Sequence, residues 1–193
     1  RLQAVMPGRP GDDHTYPSLF SPVRLGRLNL RNRAMVPAMT TNFAQPDGSV
    51  GDALVGYLVA RANGGFGSIV TENIGVHPGG RVMPRMVMAD DDRYLPGLRR
   101  LASAVHAAGG ILIGQISHAG RQTRSRITGQ QPVAPSAIPC PLNREMPHEL
   151  SIPEIERLEA SFIDTAQRLA AAGFDGVEIH GAHGYLVGAF LSA

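Results

Sequence analysis

Lysine is absent from this chain, and all eighteen basic side chains are arginine. Schiff-base chemistry, on a carbonyl substrate or through pyridoxal phosphate, needs an amine nucleophile that this stretch does not supply. Cysteine occurs once, at Cys140. That excludes an internal disulfide framework and any Cys-x-x-Cys zinc or iron–sulfur site within the segment, and it suits a reducing compartment, so cytoplasmic residence is the expectation. No run approaches the ~18 apolar residues of a membrane helix, and residues 1–17 lack the apolar centre of a signal peptide. They read as a flexible N-terminal extension. The formal charge is only +2 with scattered arginines, which gives neither a nucleic-acid groove nor a polybasic membrane patch. What is present, 43% hydrophobic and 18% charged residues over 193 positions, is enough for one well-buried globular domain.

Three joins along the chain look alike: RANGGFGSIVTE (61–72), HAAGGILIGQIS (106–117) and LAAAGFDGVEIH (169–180). In each, a helical tail meets glycine where a left-handed C-cap is expected, and a β-branched or apolar run follows at once. The helices before these glycines are legible. Leu95, Leu98, Leu101, Ala102 and Val105 follow helical spacing behind an Asp-rich start. Ser151 and Glu154 form a capping box with Pro153 in the first turn, and Ile155, Leu158, Phe162 and Leu169 mark the buried face. A further helix spans roughly Asp52 to Asn63. With RAMVPAMTT (33–41) as an opening strand the order is β-α-β-α-β-α-β, and before it LFSPVRLGRLNLRNR reads as a small hairpin turning near Gly26.

Such alternation predicts a parallel sheet flanked by helices. A dinucleotide-binding doubly wound fold would show G-x-G-x-x-G after its first strand, and neither VPAMTTN nor GGFGSIV fits; a Walker-type loop is absent too. The fold class expected is therefore α/β, the first half of a (β/α)8 TIM barrel with an N-terminal β-hairpin, covering residues 18–193. A complete barrel takes roughly 250 residues and eight strands. Four strands are countable here, so the chain reads as a fragment of a longer one.

Polar residues gather at the strand ends: Met39, Thr40, Thr41 and Asn42 after the first, Thr71, Glu72 and Asn73 after the second, Gln115, His118 and Arg121 on the third, and His180, His183 and Tyr185 after the fourth. In a barrel all of these share one mouth, where chemistry is expected. Strand alternation puts Glu178 and His180 on one face and Val177 and Ile179 on the other. Taken singly, these residues have ordinary readings. His118 caps the following turn, Thr40 and Gln115 are satisfied core polars, and the arginines of the 122–150 segment form a solvated face. The set carries more weight than its members.

The order VPAMTT, TENIGV, GQISHAGRQ, VAPSAIP, GFDGVEIHGAHGYLVGAFLS closely resembles the old yellow enzyme family of FMN-dependent ene-reductases. It is most similar to the bacterial branch that includes 2,4-dienoyl-CoA reductase and trimethylamine dehydrogenase. The resemblance implies that Ala38, Met39 and Thr40 lie against the isoalloxazine of FMN. Asn73 would flank the same ring edge, where a small residue is more usual in the family. Gln115 would bond the pyrimidine side, for which an amide offers donor and acceptor together. His180 and His183 would grip the substrate carbonyl or phenolate oxygen, and Tyr185 would donate a proton. NAD(P)H would be the reductant, and an α,β-unsaturated carbonyl or enoyl-CoA the substrate. The phosphate anchor of FMN would lie after strands seven and eight, outside this segment. A 4Fe-4S cluster and FAD would enter only through a longer parent chain.

Two other readings stand beside this one. Glu178, His180 and His183 could be the ligand set of a metal-dependent barrel hydrolase, although no matching cluster occurs on strands one to three. The half-chain could also be a non-catalytic assembly module, a homo-oligomer whose free strand edges pair with a partner or a second copy. No metal site is assigned.

Overall fold

The computed structural model of the chain describes residues 16–192. The extension expected over residues 1–17 lies outside the described residues except for Tyr16 and Pro17, and Pro17 opens the one-turn helix α1 (Pro17–Phe20). The hairpin follows as β1 (Val23–Leu25) and β2 (Leu28–Leu30), antiparallel, with Gly26 at φ 58° in its turn. A chain of β/α units comes next: β3 (Met35–Val36), α2 (Asp52–Asn63), β4 (Ser68–Gly75), α3 (Leu95–Ala107) and β5 (Leu112–Ser117). After β5 come α4 (Ser125–Thr128), β6 (Val133–Ala134), β7 (His148–Glu149), α5 (Ile152–Ala171), β8 (Gly176–Ile179) and α6 (Leu186–Phe190).

Strands β3, β4, β5 and β8 pair in that order, all parallel. Each strand is added beside the last with a helix in the crossover, and no reversal of strand order occurs, which is how a (β/α)8 barrel is wound and a doubly wound sheet is not. The fold is a partial barrel. All three helix-to-strand joins carry the expected left-handed glycine, Gly65 at φ 91°, Gly109 at 74° and Gly173 at 93°. A β-carbon is disfavoured there, and the turn lets each strand start five residues after the last residue of its helix.

The core lies between the sheet and the helices. Leu54 and Leu58 of α2, Leu98, Leu101 and Val105 of α3, and Leu169 of α5 are buried against Ile69, Ile74, Leu112 and Ile116. Burying each such side chain contributes roughly 1.5–3 kcal/mol. Helix α5 approaches β5 so closely that a β-carbon on Gly114 would come within 2.6 Å of Leu169 Cδ1. At its other end Glu154 accepts both the Ser151 N–H at 2.8 Å and the Ser151 hydroxyl at 2.6 Å, so the expected capping box is present.

Two expectations change. The opening strand is far shorter than residues 33–41, because Pro37 has no N–H for the ladder and the chain leaves the sheet after Val36. The apolar stripe of α5 is only partly buried: Leu169 is enclosed, but Ile155, Leu158 and Phe162 are half-exposed. Strand β8 is an edge of the sheet, and its outward Ile179 is 60% exposed, so that part of the helix borders an open groove that it shares with Ile179, Leu186 and Phe190. The 122–150 segment is also more ordered than a plain loop. It carries α4 and the short parallel pair β6 and β7, which joins Val133 to His148 and Ala134 to Glu149.

Candidate active site at the strand ends

One row of polar side chains runs from the segment after β3 across β4, β5 and β8. The Thr40 hydroxyl donates to Asn73 Oδ1 at 3.3 Å, Asn73 is in register with Gln115, and Gln115 Nε2 donates to Glu178 Oε1 at 2.6 Å. The residues come from the segment after β3 and from β4, β5 and β8, and period-two alternation points them to the concave side. A bulge in β4 between Val70 and Asn73 sets that register. Within it the Thr71 hydroxyl accepts the Gln115 N–H at 3.2 Å. Ala38 is half-buried, while Met39 and Thr40 line the open side and are exposed.

Beneath the row sits Glu72, a carboxylate only 2% exposed. Its Oε2 accepts the Thr41 N–H at 2.8 Å and also the Thr41 hydroxyl, whereas Oε1 has no partner. Glu72 thus replaces the strand ladder that Pro37 interrupts and holds the Ala38–Thr41 segment against β4. The sequence signal was a lone carboxylate inside the strand SIVTENIG, between the apolar Ile69, Val70 and Ile74, where charge is rare. Glu178 was legible as inward-facing, but its bond to Gln115 was not.

The second part of the site follows β8. His180 is buried and accepts the Ala182 N–H at Nδ1, 3.2 Å away. That bond leaves the ring proton on Nε2, which lies 3.3 Å from His183 Nδ1 and donates to it. His183 occupies the left-handed region at φ 58°, followed by Gly184 at φ 66°. The tight turn folds the chain back so that Tyr185 stacks edge-on to His180, ring centroids 4.7 Å apart. Gln122 donates to the His183 carbonyl and ties the turn to the segment after β5. Burial lowers the His180 pKa below the usual histidine value, His183 adds to the shift, and Glu178 opposes it. Burial pushes the Tyr185 hydroxyl upward. The site therefore presents a neutral His180 imidazole, in contact with His183, and a protonated phenol.

Of the residues read from the sequence, Thr40, Asn73 and Gln115 form the row, and His180, His183 and Tyr185 form the cluster. Arg121 and Arg124 serve the 122–150 segment, donating to the Ile138 carbonyl and to Asn143 Oδ1. Among the described residues no three His, Cys, Asp or Glu side chains are grouped to hold a metal ion. No helix among them is long and apolar enough to cross a membrane.

Residues 18–193 match the NADH:flavin oxidoreductase / NADH oxidase family. The chain belongs to that family. It is 50% identical over 179 residues to an NADH oxidase of Thermoanaerobacter brockii, an alignment covering 92% of this chain and 28% of the relative. It is 39% identical over 175 residues to an NADPH dehydrogenase of Geobacillus thermodenitrificans, covering 90% of this chain and 51% of the relative. Among solved structures, a 2-naphthoyl-CoA reductase in complex with 2-naphthoyl-CoA superimposes with TM-score 0.86 at 32% identity, over 90% of this chain and 28% of that one. The old yellow enzyme homologue from Zymomonas mobilis gives TM-score 0.80 at 33% identity, over 88% and 50%. The chain thus spans about half, or less, of the family members it matches.

Proposed function

We propose that this chain is the N-terminal half of the barrel of an FMN-dependent oxidoreductase, passing hydride from NAD(P)H by way of the flavin to an activated C=C bond of an enone or enoyl substrate. The observation that carries this reading is the adjacency of the imidazole pair and Tyr185 to an edge of unspent amide groups. Asn73 accepts from Thr40 but its Nδ2 protons have no partner among the described residues, and Gln115 donates to Glu178 but its Oε1 has none. A free donor beside a free acceptor on one edge fits the alternating C=O and N–H edge of a flavin pyrimidine ring. Thr40, Asn73 and Gln115 would hold that edge, with Ala38 and Met39 beside it.

Bound FMN supplies the hydride donor. The protein residues manage charge and proton. Hydride arriving at the β-carbon of an enone drives negative charge onto the carbonyl oxygen, and His180 and His183, each through Nε2–H, would donate to it. His180 has its Nε2–H fixed by the Ala182 contact, so it needs no tautomer change to do so. Tyr185 holds its proton at neutral pH, since burial moves it further from ionisation, and it gives that proton to the α-carbon. The free edge of β8 leaves room for further strands of a longer chain to complete the site.

The test is a half-reaction comparison on a flavin-loaded protein. Tyr185→Phe is expected to leave flavin reduction by NAD(P)H unchanged and to slow enone reduction about 100-fold. Normal enone turnover in Tyr185→Phe and in the His180→Ala/His183→Ala double variant would overturn the assignment.

A further inference from the structure

Three successive strand ends carry the same local device. After β4, β5 and β8, the Nδ1 atoms of His77, His118 and His180 accept the backbone N–H two residues on, from Gly79 at 3.1 Å, Gly120 at 3.0 Å and Ala182 at 3.2 Å. A neutral imidazole whose Nδ1 accepts keeps its proton on Nε2 and is a donor there. Only His180 belongs to the site described above. His77 and His118 lie together elsewhere, with ring centroids 5.9 Å apart and planes inclined by 30°, on the wall of a cavity of about 480 Å³ beside the first turns of α5.

His118 is only 2% exposed and lines that cavity, and its Nε2 has no partner among the described residues. Burial lowers its pKa to about 3, with His77 adding to the shift, so the ring stays neutral and remains a donor. A metal ion would need the Nε2 lone pair, which this tautomer does not offer. The complementary group is an oxygen acceptor.

The remaining walls narrow the class. Val133, Leu150 and Leu158 are apolar, and the volume falls within the roughly 300–1,000 Å³ of small-molecule sites. Arg157 lines the same cavity and makes no ion pair among the described residues. Glu154 is also on the wall, with both oxygens committed to Ser151 and His148, and its charge disfavours a dianion. We propose that this cavity binds a small monocarboxylate with an apolar body, its oxygens taking the Nε2–H groups of His77 and His118 and facing Arg157. The proposal is independent of the flavin assignment.

Benzoate and inorganic phosphate are titrated separately into the 15N-labelled full chain, followed by calorimetry and by long-range 1H–15N spectra of the imidazoles. The expected result is Nε2–H tautomers at both His77 and His118, shifts of both rings with benzoate, and weaker binding of phosphate. That binding persists in the His180→Ala/His183→Ala double variant, which separates it from any occupancy of the enone site. It weakens about tenfold in Arg157→Ala and in His77→Phe. His118 is left in place, because its carbonyl holds the Leu186 N–H at 3.0 Å and its ring packs on Gly80. No shift of His118 with benzoate, equal affinity in the two cavity variants, or tighter binding of phosphate would each overturn the proposal.

Discussion

His180 Nε2 lies 3.3 Å from His183 Nδ1, and the two rings meet edge-on at 83°. With the Ala182 N–H occupying the other nitrogen of His180, the pair is ordered as donor and acceptor rather than as two equivalent bases. On the proposed reading, a phenolate or carbonyl oxygen arriving at the pair would accept the His180 Nε2–H bond in place of His183 Nδ1. Removing both imidazoles is expected to weaken phenolate binding to the flavin-loaded protein about 100-fold or more, since bonds to a charged acceptor contribute roughly 1.5–3 kcal/mol each. A visible absorbance titration reads this directly. Unchanged affinity would place the anion elsewhere.

Glu72 gives a stability prediction. Its Oε2 satisfies the Thr41 N–H and hydroxyl in a site closed to water. Glu72→Ala leaves that backbone donor unpartnered and costs about 1–3 kcal/mol, whereas Glu72→Gln keeps a carbonyl acceptor and costs less. Urea denaturation orders the three proteins. Equal midpoints would mean that the Ala38–Thr41 segment is held by other contacts.

The cap of α5 gives a pH prediction. Hydrogen bonds from Ser151, with a further contribution from His148, lower the Glu154 pKa from 4.5 to about 2. A depressed carboxylate stabilises the folded state above its unfolded value and loses that contribution as pH falls through its folded value. The first turn of α5 is therefore expected to lose amide-exchange protection between about pH 4.5 and 2. Glu154→Gln should remove that pH dependence while the rest of the helix stays protected.

Gly114 tests the packing of α5 on β5. Alanine there forces Leu169 Cδ1 or the helix itself to move from a 2.6 Å approach. Overpacking of this kind costs about 1–3 kcal/mol. Thermal melting of Gly114→Ala should show the loss, and Gly114→Ala/Leu169→Ala should recover part of it by vacating the contested space.

Much of the architecture was legible because its signals are local. The three left-handed glycines, the Ser151–Glu154 box and the 95–107 apolar spacing each depend on neighbours within a turn or two of chain. The short first strand was less visible: Pro37 signals the break, but the replacement partner, Glu72, is 31 residues from Thr41. The α5 stripe was read correctly as apolar and incompletely as buried, because burial depends on what lies beyond the β8 edge.

The sequence by itself determined the alternation of helices and strands, the family, and the three aromatic groups spaced His-x-x-His-x-Tyr. Periodicity, glycine geometry and a short motif act within one stretch of chain. The tertiary structure alone decided the row from Thr40 through Asn73 and Gln115 to Glu178, and the pairing of His77 with His118. Those groups stand on different strands, and only parallel register and the β4 bulge bring them within hydrogen-bonding or ring-contact distance. Which nitrogen of each histidine carries its proton was likewise decided by backbone N–H groups that the turns after β4, β5 and β8 aim at Nδ1.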